Sequence, residues 1–347
     1  MGAPLDASDS LGMFDTTAGL PEQVEAAATL AAGLEGLPHH DDIENVVVMG
    51  MGGSGIAGDL LAAVAGPFMP VPVVVSKGYE PPSFVNEGTL CFAVSFSGNT
   101  EETVEAATTA AAAGARMVVV ARGGELGRLA EGWQVPFIRL PDGIPMPRAA
   151  IGAVSIPPLV ALEQVGLFPG AREWIGLAVE QLGRRRDQLV VDVNPARDLA
   201  RRIGRTLPIM YGGGDLGAVA ALRWKNQVNE NAKAPAFFGE IPEATHNELS
   251  GWGQHGDITR QVFTLLYLRH DHEHPQVMRR FDIVRDWIEE VVASVEEVRA
   301  EGEGMLAQLF DLIIFGDFTT LWMAFQEGID PGPVPVLDSI KAALART

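Results

Sequence analysis

The stretch Ser95-Phe96-Ser97-Gly98-Asn99-Thr100-Glu101-Glu102-Thr103 joins two segments of contrasting pattern. The apolar run at residues 90–94 precedes it and is typical of a buried parallel strand. An alanine-rich segment at residues 101–113 follows, ends before Gly114, and predicts a helix. The chain therefore passes from a strand into a helix through three hydroxyl side chains and a glycine.

This junction has the chemistry of an anion site. Hydroxyl groups and unpaired backbone N–H groups at the start of a helix attract an anion, because the donors and the positive end of the helix dipole point in the same direction. An ordinary helix cap is the alternative, but a cap uses only one hydroxyl side chain. We therefore predict a phosphate cradle that includes Ser95, Ser97 and Thr100.

Composition narrows the class of protein. The chain has 347 residues, of which 47% are hydrophobic and 20% charged, which favours two folded domains and argues against disorder. A net charge of −20 argues against non-specific binding to nucleic acid or to an anionic membrane. Cys91 is the single cysteine, so an intramolecular disulfide is excluded and a reducing compartment is indicated.

Two segments bear on localisation. Residues 1–10 lack the basic region and the apolar core of a signal peptide. The apolar segment at 305–325 contains Asp311, Gly316 and Asp317, and we interpret it as a buried core helix rather than a membrane span. We predict a cytoplasmic protein.

The order of elements predicts an α/β fold with doubly wound parallel sheets flanked by helices. Further apolar strands are expected at 46–49, 71–76, 117–121 and 135–140, alternating with helices. The pattern of strand, glycine loop and helix returns at 207–217. We therefore expect two similar domains, residues 1–168 with a leading helix over 22–34 and residues 207–347 with a C-terminal helix, joined by a helical connector at 169–206.

A glycine loop after the first strand offers a rival hypothesis. Gly50, Gly52 and Gly55 fit the G-x-G-x-x-G pattern of a dinucleotide site, with a strand before and a helix after. The next strand ends in Ser76-Lys77, where an NAD site needs an acidic residue, so the match is poor. We interpret the glycines as a close approach of the backbone to another ligand. Both loops follow the carboxyl ends of strands and can face one ligand.

Candidate reactive residues lie further along the chain. Arg148 follows the rigid proline segment at residues 145–147, at a helix start. A surface arginine is the alternative, but a cation there is electrostatically misplaced unless an anion lies beside it. Glu230 and His246 taken singly are ordinary surface or capping residues, but beside a phosphate site they suit general acid/base catalysis. Three histidines surround an expected exposed strand end without an accompanying ligand set, so we predict no metal site: His270, His272 and His274.

Six motifs in this order resemble the bifunctional phosphoglucose/phosphomannose isomerases, which belong to the phosphoglucose isomerase superfamily and contain two sugar-isomerase (SIS) domains. The resemblance runs from about residue 46 to residue 341. The motifs are Gly52-Gly53-Ser54-Gly55, Ser95-x-Ser97-Gly98-Asn99-Thr100-Glu101-Glu102-Thr103, Pro147-Arg148-Ala149-Ala150, Glu230-Asn231-Ala232-Lys233, His246-Asn247-Glu248 and Ile340-Lys341.

The resemblance implies a role for each matching position. Arg148 would stabilise an enediolate, Glu230 would move a proton between carbons 1 and 2, and His246 and Lys341 would assist ring opening. The phosphate of the sugar would be bound by a set of small residues, Gly53, Ser54, Ser95, Ser97 and Thr100.

The implied activity is the interconversion of glucose 6-phosphate or mannose 6-phosphate with fructose 6-phosphate, without a cofactor or a metal. The resemblance also implies a homodimer in which His246 reaches the active site of the other subunit. Two alternatives remain: a non-catalytic SIS regulator that binds a phosphosugar, and an NAD(P)-dependent oxidoreductase.

Overall fold

Two parallel sheets organise the computed structural model, which describes residues 8–344. The first sheet has the strand order β2-β1-β3-β4-β5, and every neighbouring pair is parallel. Its strands are almost entirely apolar because helices cover both faces. They are β1 (Asn45–Met49), β2 (Val73–Ser76), β3 (Thr89–Ser95), β4 (Arg116–Ala121) and β5 (Phe137–Arg139).

Six helices accompany this sheet, and the leading segment differs from its prediction. The helix expected over 22–34 is observed at Leu20–Ala31 with Pro21 in its first turn, and a shorter helix that was not predicted, Met13–Ala18, precedes it across Gly19. The other predicted helices of this half are present. The six are α1 (Met13–Ala18), α2 (Leu20–Ala31), α3 (Gly52–Val64), α4 (Glu101–Ala112), α5 (Gly124–Trp133) and α6 (Ile151–Val165).

The second sheet repeats the arrangement with four parallel strands in the order β7-β6-β8-β9. In both sheets the first strand lies beside the second and the third, so the expected repeat of one α/β unit is confirmed. The strands are β6 (Leu207–Gly213), β7 (Phe237–Ile241), β8 (Phe263–Arg269) and β9 (Ser294–Arg299).

Seven further helices belong to this half and to the segment before it. The segment at 234–243 contains the edge strand β7. The helices are α7 (Ala171–Leu189), α8 (Pro195–Ile203), α9 (Gly214–Gln227), α10 (Gly256–Val262), α11 (Pro275–Ile288), α12 (Met305–Gln326) and α13 (Pro335–Leu344).

Helix α12 lies at the centre of the molecule. It packs against α7, α8 and α9, and its side chains from Leu306 to Ala324 are buried. It is long and apolar enough to cross a membrane by composition alone, but 94% of its most apolar window is buried inside the protein. One apolar cluster includes Val46 of the first sheet, Leu266 of the second and Phe310 of α12. The helices of the connector therefore share a core with both sheets.

Candidate active site

The predicted cradle follows β3 and is held by its own hydroxyl groups. The Oγ of Ser95 lies 2.8 Å from Oγ1 of Thr100 and accepts the N–H of Gly98 at 3.1 Å. The Oγ of Ser97 accepts the N–H of Asn99 at 3.2 Å. Thr100 immediately precedes α4, yet within residues 8–344 its side chain makes no capping hydrogen bond. The ordinary-cap alternative is therefore wrong for Thr100, and the first turn of α4 keeps its N–H donors for an anion.

The glycine loop contacts the cradle. Ser54 lies in the first turn of α3, is buried, and accepts the N–H of Phe96 on its Oγ at 3.0 Å. Gly53 lies against the next motif, because a Cβ added there would be 3.2 Å from the carbonyl oxygen of Pro147 and 3.3 Å from Cα of Arg148. These distances are tighter than ordinary van der Waals contact, so glycine at this position favours the close approach. The two loops and the Arg148 segment thus form one continuous surface.

The end of β2 does not resemble a dinucleotide site. Lys77 follows the strand, and its Nζ lies 2.5 Å from Oδ2 of Asp59 on α3. Burial raises the pKa of Asp59, and the lysine opposes this shift. A cation paired with a helix carboxylate occupies the place where the ribose hydroxyls of NAD would need a free acid. The geometry therefore disfavours the oxidoreductase alternative.

Arg148 is deeply buried, with 1% of its surface exposed, so the surface-arginine alternative is wrong. Its Nε donates to Oδ1 of Asn231 at 2.8 Å, and its Nη2 donates to the carbonyl oxygens of Pro331 and of Gly332, the latter at 2.7 Å. Its Nη1 is buried without a hydrogen-bond partner among the described residues. That nitrogen lies 3.5 Å from Oε2 of Glu230.

Electrostatics favour an anionic ligand at this arginine. Burial lowers the pKa of Arg148, and the Glu230 carboxylate opposes the shift. An arginine keeps its charge in proteins, so the cation is present at neutral pH with two N–H donors unused on Nη1. A substrate oxygen that gains negative charge beside Nη1 would be stabilised strongly in this water-poor position.

Glu230 lies on a π-helical turn, Val228–Ala232, that continues α9. The α-helix itself ends at Gln227, and Lys233, which follows the π-helical turn, has a left-handed φ of 56°. The Glu230 side chain is 27% exposed, so the carboxylate borders both Arg148 and solvent. Such π turns concentrate at functional sites because they change the direction in which one side chain points.

Lys233 is a neighbour that the sequence reasoning left without a role. Its Nζ donates to the carbonyl oxygens of Glu230 and of Pro331, the latter at 3.1 Å. Burial lowers the pKa of Lys233, and Arg148 adds to this shift. Lys233 and Arg148 together fix the chain at Pro331–Gly332, just before α13 begins.

His246 and Lys341 are not brought to this centre within one chain. His246 ends a short 3₁₀ turn, Glu243–His246, and is exposed. Lys341 is exposed on α13. Neither side chain makes a hydrogen bond or an ion pair with the part of the chain that the structure describes. The single chain therefore brings the cradle, Arg148 and Glu230 together, while His246 and Lys341 make no such bond to them among the described residues.

The structure adds residues that sequence reasoning missed. Arg223 and Asp317 form a buried ion pair, and Arg223 donates to the backbone carbonyl of Arg148. Asp317 was visible as a carboxylate in an otherwise apolar helix, which is a signal for a buried partner. Asn231 lies inside a quoted motif, but only the fold reveals its bond to Arg148.

The histidine cluster differs from its prediction. His270 is buried rather than exposed, with its Nε2 2.8 Å from the carbonyl oxygen of Gly213 and its Nδ1 3.2 Å from the N–H of His272. The buried Glu273 carboxylate accepts from the N–H of His270 and from Arg269. The loop after β8 in the second sheet corresponds in position to the serine loop after β3 in the first. The Glu273 carboxylate occupies this loop.

Two other features lie away from this centre. Among the described residues, the side chains whose potential metal ligands lie within 4.8 Å of one another are His39, His40 and Asp41, which are exposed and precede β1. A mostly apolar cavity of about 820 Å³ lies between α2 and residues 139–144, and no predicted site residue lines it. Its apolar lining does not suit a sugar phosphate.

Comparisons with known proteins agree with this geometry. A family model of the SIS domain matches residues 41–130, and a model described as the bacterial phospho-glucose isomerase C-terminal SIS domain matches residues 192–344. A bifunctional phosphoglucose/phosphomannose isomerase from Caldicellulosiruptor bescii is 35% identical over 96% of this chain and 99% of its own length. The chain belongs to the bifunctional phosphoglucose/phosphomannose isomerase family.

A second relative and a solved structure extend the comparison. The bifunctional phosphoglucose/phosphomannose isomerase of Thermoplasma acidophilum is 31% identical, over 87% of this chain and 90% of its own. The C-terminal domain of glucosamine-fructose-6-phosphate aminotransferase from Francisella tularensis matches with a TM-score of 0.69 at 14% identity, over 93% of this chain and 97% of that one. The latter likeness shows the fold alone. Membership of this family confirms the expected pair of SIS-type α/β units and an isomerase that acts on phosphosugars.

Proposed function

We propose that this protein interconverts glucose 6-phosphate and mannose 6-phosphate with fructose 6-phosphate, without a metal or a redox cofactor. The observation that carries the proposal is the buried Nη1 of Arg148, which has no hydrogen-bond partner among the described residues and lies 3.5 Å from the Glu230 carboxylate. A cation beside a candidate base is what proton abstraction next to a carbonyl requires. Membership of the family names the substrates.

The cradle would bind the phosphate. The first turn of α3 meets the loop after β3 at the bond between Ser54 and Phe96, and that loop leads into the first turn of α4, whose N–H groups would bind an anion. Ser97 is exposed and Thr100 half-buried, so both hydroxyls can reach a ligand from solvent. Gly53 places the Arg148 segment next to this cradle, and the sugar carbons would then lie toward Arg148 and Glu230.

The isomerisation then needs two proton movements after the ring has opened. The Glu230 carboxylate would take the proton from carbon 2 of the open aldose, while the electrons move to the carbonyl oxygen at carbon 1. The resulting enediolate carries its negative charge beside Nη1 of Arg148. Glu230 would return the proton to carbon 1 while the hydroxyl proton at carbon 2 passes to the oxygen of carbon 1, and carbon 2 becomes the ketone. Glucose 6-phosphate and mannose 6-phosphate give the same enediol, so one pocket that tolerates both configurations at carbon 2 serves both sugars.

Ring opening requires an acid and a base at oxygen atoms, and we assign these roles to His246 and Lys341. Both are exposed within one subunit, and we propose a cytoplasmic homodimer in which His246 completes the site of the other subunit. Exposed Phe237 and Phe238 on the edge strand β7, beside a cavity of about 440 Å³, support this proposal. Exposed aromatic groups at an unpaired sheet edge are typical of an interface.

Helix α13 supports the same assembly. Its exposed apolar side chains Val336, Leu337 and Ile340 lie within one turn of each other on the helix that carries Lys341. The helix begins three residues beyond Gly332, whose carbonyl accepts from Arg148. Lys341 is thus connected to the candidate centre by a short length of chain. We propose that α13 closes over the bound sugar and places Lys341 at the site.

A coupled assay tests the proposal. Purified protein with fructose 6-phosphate should yield both glucose 6-phosphate and mannose 6-phosphate, and a chelator should leave both rates unchanged. Formation of glucose 6-phosphate alone would reject the dual activity. No turnover, with a phosphosugar still bound in calorimetry, would identify a binding protein instead. Binding of NAD(P)H seen by fluorescence would point to the oxidoreductase.

A further inference from the structure

A carboxylate that the mechanism leaves unused lies in the middle of the apolar helix α12. Asp317 is 4% exposed and binds the Arg223 guanidinium through two bonds, Nε to Oδ1 at 3.2 Å and Nη2 to Oδ2 at 2.8 Å. The Nε2 of Gln227 donates to Oδ1 of Asp317 at 2.8 Å. Burial raises the pKa of Asp317, and these donors oppose the shift. A charged carboxylate inside an apolar core is tolerated only when a cation and hydrogen-bond donors surround it, as Arg223 and Gln227 do here.

This pair reaches the backbone of Arg148. The Nη2 of Arg223 also donates to the carbonyl oxygen of Arg148 at 2.6 Å. Arg223 is 1% exposed, so it lies between the carboxylate of α12 and the segment that carries Arg148. The position of the Arg148 main chain is thereby tied to α12.

A second chain of bonds reaches the guanidinium of the same residue. The Nε of Arg148 donates to Oδ1 of Asn231, and the Nδ2 of Asn231 donates to Oγ1 of Thr320 at 3.0 Å. The Thr320 hydroxyl in turn donates to the carbonyl oxygen of Asp317 at 2.9 Å. One turn of α12 therefore holds Arg148 at both ends, through Arg223 at its backbone and through Asn231 at its side chain.

We infer that Asp317, Arg223, Asn231 and Thr320 are positioning residues that aim the free Nη1 of Arg148 at Glu230 and the reacting carbons. This inference rests on the role proposed for Arg148. A misplacement of a catalytic group by about 1 Å can lower a rate by about a hundredfold, so loss of one link should reduce turnover more than binding. Among residues 8–344, the hydrogen bonds of the cradle hydroxyls Ser95, Ser97 and Thr100 do not include this network.

Helix α12 also provides a matched control. Asp311 lies six residues earlier and binds Arg185 through two bonds of 2.7 Å each, and Gln181 donates to its Oδ1 at 2.8 Å. The chemistry is the same: a buried aspartate, an arginine and a glutamine. Among the described residues, neither Arg185 nor Asp311 contacts Arg148, so this pair serves structure alone.

The experiment compares Asp317→Asn with Asp311→Asn, and Thr320→Val with Thr319→Val. Thr319 is equally buried, and its hydroxyl bonds only to the carbonyl oxygen of Phe315 among the described residues. Within each pair, the two variants should lose a similar amount of thermal stability. We expect kcat to fall about tenfold or more for Asp317→Asn and Thr320→Val, with KM changed less than threefold, and to stay within twofold of wild type for both controls.

A double-mutant cycle separates positioning from general damage. In an Arg148→Lys background, Asp317→Asn and Thr320→Val should lower kcat no further, because the group that they position is already replaced. Should Asp317→Asn not fold, Thr320→Val carries the same test. Equal kcat effects in variant and control, or losses that multiply in the Arg148→Lys background, would overturn the inference. A wild-type enzyme without isomerase activity, or an Arg148→Lys variant with full kcat, would instead contradict the proposed function.

Discussion

Nη1 of Arg148 lies 3.5 Å from Oε2 of Glu230, and the two residues come from different sheet units of the chain. The separation is longer than a hydrogen bond, so the carboxylate is held near the cation without being locked to it. We expect a substrate oxygen to bind Nη1 beside the carboxylate, because no described residue accepts the N–H donors of that nitrogen. The pair becomes complete as a site only when the two SIS-type units pack together around α12.

The cradle gives a prediction for binding. Ser97→Ala and Thr100→Ala should each weaken the affinity for a phosphorylated sugar-acid inhibitor about tenfold or more, since a hydrogen bond to a charged group is worth about 1.5–3 kcal/mol. Calorimetry measures this. Thr108→Ala is the control, because that hydroxyl lies on the same helix α4 and bonds only to the carbonyl of Val104 among the described residues. Unchanged affinity for both cradle variants would place the phosphate elsewhere.

Shared active sites give a prediction for mixed dimers. Glu230→Gln and His246→Ala should each be inactive alone. If His246 acts across the interface, a mixed dimer holds one site with both residues intact, and random mixing should restore about a quarter of the wild-type activity. The two variants are dissociated, mixed and reassociated, and the mixed dimers are confirmed by mass. Absence of recovery would show that His246 serves its own subunit.

The buried His270 gives a prediction for pH. Burial lowers the pKa of His270, and its bond to Gly213 and the Glu273 carboxylate only partly oppose this shift. The folded protein therefore binds fewer protons here than the unfolded chain, so stability is fully present above the ordinary pKa of about 6.5 and is lost as the pH falls toward the folded pKa.

The measurement compares the free energy of unfolding of wild type and His270→Gln from pH 8 to pH 5. The advantage of wild type over the variant should shrink below about pH 6.5, by up to about 1.4 kcal/mol per pH unit. An advantage that stays constant or grows as the pH falls would contradict the assignment. Because His270 bonds the carbonyl oxygen of Gly213 in the glycine loop after β6, the loss of stability over this pH range also reports on that loop.

Local pattern was enough to predict much of the fold. Both sheets were indicated by apolar runs that end in glycine or serine loops, and such signals are contained within a few residues. The cradle could be predicted for the same reason, because Ser95, Ser97 and Thr100 lie in one loop. The short helix α1 was not predicted, because its 6 residues are too few to show a helical period.

The surroundings of Arg148 could not be predicted in this way. Its partners Asn231 and Gly332 are distant in the sequence and meet it only after the two sheet units pack. His270 was misplaced for the same reason, because its burial depends on Gly213 of the neighbouring strand. The pattern of residues in the sequence indicates local structure and which face of a helix or strand is buried. It does not report on contacts between distant polar groups.

The most direct measurement concerns Glu230 itself. The variant Glu230→Gln keeps the shape of the side chain and removes its basicity, and Glu327→Gln, an exposed carboxylate after α12, is the control. Both are assayed for isomerisation of fructose 6-phosphate and for exchange of the transferred hydrogen with D₂O, followed by NMR. The account predicts that Glu230→Gln loses about 10²–10⁴ in kcat and loses the exchange to the same extent, while inhibitor affinity and the control stay near wild type. Near-normal isomerisation by Glu230→Gln would contradict it.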